Sequence, residues 1–438
     1  IGRDPQFLLE ATLAFLRGHS WKLAGLALDS ICGVPDTSHL PAVIRAVAEE
    51  INFEQIYAER VKKTEDSGRI PAAWFQDETL DLRKYIFRLV CEIAFTEPNP
   101  SNVTSLMFAS RAFNFEPEAL EVLRGMDIEQ ACRWSCIADL ASILGDQEGA
   151  REAYERFVTV ESQLPEIVPD QTCDGLPIVM LHRGSADFMR YTLESLRRFH
   201  PHKRIIVIGD DYNRMDPELQ IEYRQWNHYT SDALFLRRHY EHLTINPYPF
   251  ELLCLERWFV LHEFCKKEAV HELIHLDSDV LCFDSLDDLV PEMRRHDAMT
   301  CGVQAGLGYF KIQALSRLCD SIQEFYADSK SLPELRGRNV NDMLFCGYVA
   351  ETDGWGNFLS LDIDGMIDNH IRTSDGYEMK DGVKAFKFHD GHPYAIRESD
   401  RREVRFRTVH FQGPSKHLIR VFAGRAADTR RGESIRRG

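Results

Sequence analysis

Residues 273–283, LIHLDSDVLCF, decide the fold of this chain. The run is apolar on both sides of Asp277, Ser278 and Asp279, apart from one histidine near its start. Short apolar runs of this kind are typical of strands that are covered on both faces. We therefore expect residues 273–276 to form a buried strand, with the acidic residues emerging at its carboxyl end.

The sequence before this strand predicts a strand–helix–strand unit. Residues 177–181 and 204–208 are short apolar runs, and residues 187–199 between them have the periodicity of an amphipathic helix. Such a unit implies a parallel sheet. Ligands bind at the carboxyl ends of parallel strands, so we expect a ligand site around residues 182–185 and 209–211.

Residues 1–165 show helical periodicity and no convincing strand pattern. Within them, residues 137–158 predict a helix, a tight turn at Gly145–Asp146 and a second helix, which resembles one tetratricopeptide hairpin. We expect an all-α domain that caps the protein or self-associates, with a partner-binding solenoid as the alternative. Residues 166–176 are predicted to be a linker, and residues 424–438, rich in Arg and Gly, a flexible basic tail.

The composition excludes several classes of protein. There are 52 Lys and Arg residues against 69 Asp and Glu residues, a net charge of −17, which argues against a nucleic-acid partner. No uncharged apolar run reaches the roughly 18 residues of a membrane span, and the first residues lack a secretory pattern. The 11 cysteines show no disulfide or zinc spacing, and we expect a cytoplasmic protein with reduced thiols.

His271, Glu272 and His275 match the zinc-protease motif HExxH. That chemistry requires a helix, because only there do residues four apart share one metal ion. In a strand the two histidines would lie about 13 Å apart. Because the motif falls in the predicted strand, a zinc metallopeptidase is kept only as an alternative.

The pair Asp277 and Asp279 predicts a cation site. Two carboxylates one residue apart at a strand end can jointly hold a hard divalent cation, which in turn would clamp a diphosphate. The tripeptide is common, however, and a solvated turn after a strand is the competing interpretation until the context is considered.

In its context the DxD segment resembles that of the GT-A glycosyltransferases, and most of all the glycogenin and lipopolysaccharide galactosyltransferase group. Other matching segments are residues 177–199, Arg257, 304–307 (QAGL, with Gln in place of Asn), 341–344 and the HxxGxxK motif at 410–416. The resemblance covers residues 177–423. It implies an α/β fold, a Rossmann-like GT-A domain with a mostly parallel sheet, here preceded by the helical domain.

The resemblance implies a role for each matching residue. Asp277, Asp279 and His410 would bind Mn²⁺ or Mg²⁺, and the histidine ligand favours Mn²⁺. Asp342 and Gln304 would position the sugar in a transfer that retains the anomeric configuration. The donor, for which a UDP-sugar is favoured, is implied to contact His182, Arg183, Gly184, Asp210, Arg257, Asp277, Ser278, Gly306, Gly413 and Lys416.

Other features stay open at this stage. The acceptor is a glycan, a lipid or a protein, and a catalytically silent relative that serves as a binding scaffold is a second alternative. Residues 361–370, LDIDGMIDNH, lack the spacing of a calcium loop and are predicted to lie near the acceptor. Asp390–Gly391 predicts a hairpin turn, and Trp258 is expected in the core.

Overall fold

A computed structural model describes most of the chain beyond residue 114. The described residues are 115–126, 131–159, 166–167, 175–184, 186–210, 213, 217–244, 246–328, 339–361 and 364–427, with single helical positions at 87, 91, 94, 103, 106, 107 and 109–111. The chain divides between Val160 and Glu161 into two units. Most of residues 1–114, which belong to the predicted all-α domain, lie outside the described residues.

The described part of the first unit is helical. Its helices are α1 (Glu116–Gly125), α2 (Ala131–Ile143) and α3 (Gln147–Thr159). The predicted turn between α2 and α3 is confirmed: Gly145 has a φ of 82°, and the Asp146 side chain accepts a hydrogen bond from the Gly149 N–H at 2.9 Å. The apolar side of α3, which includes Tyr154 and Phe157, is buried.

The second unit alternates strands and helices. Its helices are α4 (Met189–Phe199), α5 (Leu234–His239), α6 (Tyr248–Lys267), α7 (Val290–Met293), α8 (Ile312–Ala327), α9 (Asp342–Asp353) and α10 (Ile419–Ala427). Its strands are β1 (Ile178–Leu181), β2 (Ile205–Gly209), β3 (Glu222–Gln225), β4 (Glu272–Leu276), β5 (Val280–Cys282), β6 (Ala298–Cys301), β7 (Gln304–Lys311), β8 (Gly356–Asn357), β9 (Met366–Ile367), β10 (Met379–Lys380), β11 (Val383–Lys384), β12 (Lys387–His389), β13 (His392–Ile396) and β14 (Glu403–His410).

The main sheet has seven strands in the order β3-β2-β1-β4-β7-β6-β8 and is mostly parallel. The predicted strand–helix–strand unit is confirmed, because β1 and β2 run parallel and α4 connects them. Strand β4 lies parallel to β1, whereas β7 runs antiparallel to both β4 and β6. The fold class is therefore α/β, and the carboxyl ends of β1, β2 and β4 share one edge of the sheet.

A second sheet, β12-β13-β14-β5, carries the carboxyl end of β14 to the same region. Strand β5 follows directly after the Asp277–Ser278–Asp279 segment, and it pairs antiparallel with the end of β14. The hairpin predicted at Asp390–Gly391 is confirmed, since both residues have positive φ angles and join the antiparallel strands β12 and β13.

Regular structure continues past two of the predicted boundaries. Within the predicted linker, Ile167 forms an antiparallel bridge with Tyr223 of β3, and Glu166 accepts a hydrogen bond from the Gln225 N–H, so these residues extend the edge of the main sheet. Helix α10 continues to Ala427, four residues into the predicted tail. Residues 428–438 lie outside the described residues.

The HExxH segment is extended, as expected. His271 is exposed and precedes β4, and His275 is buried within that strand. Glu272 accepts hydrogen bonds from Arg294 and from the Tyr309 hydroxyl. The helical arrangement that a zinc peptidase requires is therefore absent from this segment.

None of the described helices is both long and apolar enough to cross a membrane.

Candidate metal centre

The two acidic residues of the DxD motif lie at the end of the central strand β4. Asp277 follows the last residue of β4, and its N–H donates to the Gly306 carbonyl of β7 at 2.7 Å. Asp279 ends the short turn and precedes β5. Its side chain is only 8% exposed, so the carboxylate is held in a largely buried position.

Pairing between β5 and β14 brings His410 to these carboxylates. His410 lies opposite Val280, and the next residue of the chain, Phe411, donates its N–H to the Asp279 carbonyl at 2.9 Å. The His410 Nε2 atom is 3.4 Å from Asp279 Oδ1. One ligand atom from each of Asp277, Asp279 and His410 lies within 4.8 Å of the others, so the three side chains could hold one metal ion.

The His410 ring is oriented by residues 368–369. Its Nδ1 atom donates to the Asn369 carbonyl at 2.8 Å, since a carbonyl oxygen can only accept. The His410 main-chain N–H donates to Asp368 Oδ2 at 3.0 Å. With Nδ1 engaged in this way, Nε2 faces the carboxylates, is buried and makes no hydrogen bond, which is the arrangement of a metal-ligating histidine.

Because Gly306 has no side chain, the His410 ring can lie against the backbone at this position. A Cβ atom at Gly306 would lie 2.7 Å from His410 Nδ1, closer than real Cβ contacts, and still nearer to the ring carbon beside it. The imidazole therefore packs directly on the backbone of β7. The donor set of two carboxylates and one imidazole, with an unsatisfied ring nitrogen, fits a divalent cation.

The charges of the site are balanced by its own cationic groups. Although burial disfavours the imidazolium, Asp279 and Asp277 raise the pKa of His410 to about 9. Burial also opposes ionisation of the two aspartates, but Arg257 and His275 lower the pKa of Asp277, and His410 and Lys416 lower that of Asp279. Lys416 Nζ is 3.3 Å from Asp279 Oδ2. Both carboxylates are thus ionised and available to a cation.

Arg257 connects the metal centre to the amino terminus of α9. Its Nη1 atom donates to Asp277 at 2.7 Å and its Nη2 atom to Asp342 at 2.5 Å. Asp342 is the first residue of α9, where the helix dipole favours a carboxylate, and Asn341 caps this helix.

Burial raises the pKa of Glu251, which lies beside Asp342, to about 7. Trp258 is fully buried, as predicted.

The loops after β1 and β2 meet the DxD segment at the same edge of the sheet. The Ser278 hydroxyl is 2.9 Å from His182 Nδ1, and burial lowers the pKa of His182 to about 4, so this imidazole is neutral. The Gly184 N–H donates to Asp210 at 2.8 Å. The Arg183 side chain is buried, with its guanidinium near Asp210 and Trp226.

The remaining predicted residues lie around the centre. Gln304 begins β7 two residues before Gly306, is half-buried and lies on the same face of the strand. Gly413, with a φ of 61°, begins the 3₁₀ turn Gly413–Leu418 that carries Lys416. The structure therefore brings Asp277, Asp279, His410, Lys416, Gly306 and Arg257 into one cluster, and the contacts of Arg183 are with Asp210 and Trp226.

Sequence reasoning missed two groups that hold the ligands. His275, fully buried in β4, lies with Nε2 3.2 Å from Asp277 Oδ1. Asp368, which was expected near the acceptor, binds the His410 main chain. The alternation of side chains along β4 puts His275 and Asp277 on one face and could have indicated the first contact. The second joins segments for which the sequence contains no local signal.

No protein-family model matches the chain, and a search of curated proteins finds no relative.

Proposed function

We propose that the second unit is a metal-dependent glycosyltransferase of the GT-A class. It transfers a sugar from a nucleoside-diphosphate donor, with UDP-sugars favoured, to a glycan, lipid or protein acceptor. The observation that carries the proposal is the convergence of Asp277, Asp279 and His410, from segments far apart in the chain, at the carboxyl edge of a mostly parallel sheet. This edge is where such sheets bind nucleotide ligands.

The chain supplies fixed positive charge for the diphosphate of the donor. Lys416 is 38% exposed, so its ammonium can exchange Asp279 for a phosphate oxygen without losing its position. Arg257 presents a guanidinium between Asp277 and Asp342. In a partly buried cleft these groups stabilise an anionic leaving group more strongly than they would in water.

Asp277, Asp279 and His410 would hold the metal ion, and Mn²⁺ suits this mixed oxygen and nitrogen donor set. When bound, the ion supplies Lewis-acid stabilisation of the negative charge that develops on the departing diphosphate. His182 and Ser278 fasten the β1 loop to the DxD segment, and the Gly184–Asp210 contact shapes the adjoining surface for the nucleoside. Asp342 and Gln304 would orient the sugar for a retaining transfer.

A thermal-shift panel of nucleotide sugars, with and without Mn²⁺, tests this function. A donor present at about one hundred times its Kd stabilises the folded protein by about 2.7 kcal/mol, a shift of several degrees. We expect this stabilisation with a UDP-sugar and Mn²⁺ and its loss in Asp279→Asn. The matched control is Asp297→Asn, whose carboxylate is 63% exposed on the same unit and should behave as wild type.

The same samples separate an enzyme from a silent scaffold. Slow release of UDP from the bound donor, dependent on Mn²⁺ and lost in Asp279→Asn, supports a transferase. A donor that binds and is never cleaved, with any acceptor class offered, favours the scaffold. If no nucleotide sugar shifts the melting temperature with Mn²⁺ present, the proposed function is wrong.

A further inference from the structure

We propose that Lys384 is a positioning residue that sets the orientation of the His410 imidazole for metal binding. Lys384 lies in β11, outside both the seven-stranded sheet and the set of three ligands. Its side chain is fully buried, although lysine is seldom buried without a charged partner. The inference rests on the proposed metal centre and does not depend on the identity of the donor.

The contacts of Lys384 converge on one short segment. Its Nζ atom donates to Asp368 Oδ1 at 2.8 Å, to the His370 carbonyl at 2.7 Å and to Asp375 Oδ2 at 2.7 Å. Its main-chain N–H donates to the Ile371 carbonyl at 2.7 Å. One residue therefore holds both ends of residues 368–371, which we call the histidine bracket.

The histidine bracket in turn holds His410 by three hydrogen bonds. Asp368 Oδ2 accepts from the His410 N–H, and the Asn369 carbonyl accepts from His410 Nδ1. The Ile371 N–H donates to the His410 carbonyl at 2.9 Å. The bonds to Asp368 and Asn369 fix the ring position and leave Nε2 as the ligating atom.

The positive charge of Lys384 holds the histidine bracket in the conformation that contacts His410. The Asp368 side chain is fully buried, and Lys384 is the cation that binds it. Without the ammonium group, the Asp368 carboxylate and the His370 carbonyl would lose a hydrogen-bond donor. Leaving a buried polar group without its donor lowers the free energy of unfolding. Rearrangement of the segment relieves that cost and releases the Asn369 carbonyl from His410 Nδ1. Removing partners that orient a ligating histidine lowers metal affinity about 10- to 100-fold.

The test compares Mn²⁺ affinity in the full chain and in Lys384→Met, measured by calorimetry, with the urea midpoint of each protein. We expect Lys384→Met to weaken Mn²⁺ binding by about 10- to 100-fold in folded protein. The matched control is Lys387→Met, which removes an ion pair with Glu403 in which the lysine is 60% exposed. This control should bind Mn²⁺ as tightly as wild type. A purely structural lysine would lower the urea midpoint and leave the affinity unchanged, and that result would overturn the proposal.

If Lys384→Met does not fold, Asp375→Asn decides the question. Asp375 is 25% exposed, and the substitution removes one charge while keeping an oxygen acceptor for Lys384. We expect a loss of Mn²⁺ affinity near the lower end of that range, about ten-fold. An affinity equal to that of wild type would count against the proposal.

A second readout does not require the metal. In protein labelled with ¹⁵N-histidine, the Nδ1 proton of His410 should be protected from exchange with solvent, and Lys384→Met or Asp375→Asn should reduce the protection. If wild type binds no Mn²⁺, the proposed glycosyltransferase is wrong and so is the role of Lys384 in metal binding, whereas Mn²⁺ binding together with the loss of protection supports that role even when no donor binds. If the protection is unaffected by both substitutions, that role is wrong.

Discussion

Gly306 lies directly against the His410 imidazole, and there is no room for a Cβ atom between the β7 backbone and the ring. The same glycine accepts the Asp277 N–H through its carbonyl. One residue of β7 therefore contacts two of the three candidate ligands. This contact explains why a residue without a side chain is required at a strand position where glycine is otherwise unfavourable.

Substituting Gly306→Ala should therefore weaken Mn²⁺ binding. The added methyl group displaces the His410 ring from Asp279, and we expect a loss of affinity on the order of ten-fold or more, as found when the orientation of a metal ligand is disturbed. Calorimetric titration with Mn²⁺ measures it. Gly424→Ala in α10 is the matched control, because a Cβ there meets no atom within 4 Å. Equal affinities of Gly306→Ala and wild type would contradict the proposed packing.

Mn²⁺ affinity should rise with pH. Asp279 and Asp277, against the opposing effect of burial, raise the pKa of His410 to about 9 in the metal-free protein. Below that pH the metal must displace a proton from Nε2, so the affinity should rise about ten-fold per pH unit from pH 6 to 8 and level off near pH 9. Calorimetry in buffers of different ionisation enthalpy should show release of about one proton per Mn²⁺ at pH 7. An affinity that does not change with pH would exclude His410 as a ligand.

Arg257→Gln should separate donor binding from metal binding. The substitution leaves the largely buried Asp342 without its cation, and we expect a loss of about 3 kcal/mol in the free energy of unfolding. Stabilisation by a UDP-sugar should disappear, whereas Mn²⁺ alone should still bind, because Arg257 is not a ligand and competes for Asp277. Urea unfolding and thermal shift measure the two effects. Arg295→Gln, at an arginine that is 72% exposed, is the control and should change neither. Loss of Mn²⁺ binding in Arg257→Gln would show that the two functions are not separable.

Substitutions of two histidines distinguish the metal centre proposed at His410 from the zinc-peptidase motif that begins at His271. His410→Ala should abolish Mn²⁺ binding, because it removes one of three ligands from the cluster. His271→Ala should leave the metal content unchanged, since His271 is exposed at the start of an extended segment. Elemental analysis of both purified variants, followed by Mn²⁺ titration, checks the comparison. Zinc that is present in wild type and lost only in His271→Ala would restore the peptidase hypothesis.

Much of the fold around the site was predictable because local sequence carries the signal. The apolar runs at β1, β2 and β4 are short and bounded by polar residues, and the chain forms strands there. The Asp390–Gly391 turn was predictable for a related reason, since few residues adopt two consecutive positive φ angles. The edge bridge at Ile167 was not, because an isolated pair with β3 leaves no periodic pattern in the sequence.

The residue types of the candidate site could be predicted from the sequence, whereas the residues that orient them could not. The DxD and HxxGxxK motifs contain the carboxylates, the imidazole and the lysine that the structure brings together. The structure adds that Arg257 bridges Asp277 and Asp342, and that Lys384 binds the segment that orients His410. Neither Lys384 nor Asp368 belongs to a sequence motif. The sequence neighbours of a lysine do not show whether its side chain is buried or exposed, so the role of Lys384 could not be predicted.

By itself, the sequence determined the α/β character of the second unit and the strand that ends in Asp277–Asp279, because these depend on hydrophobic periodicity and on residue type, whereas His410 was proposed as a ligand only through the resemblance of its HxxGxxK motif. Only the tertiary structure decided which groups complete the site. The register of β14 on β5 puts His410 beside Asp279, and the buried Lys384 closes the histidine bracket behind the ring. These contacts join segments that are distant in the chain, and they form only when the whole unit buries its apolar surface.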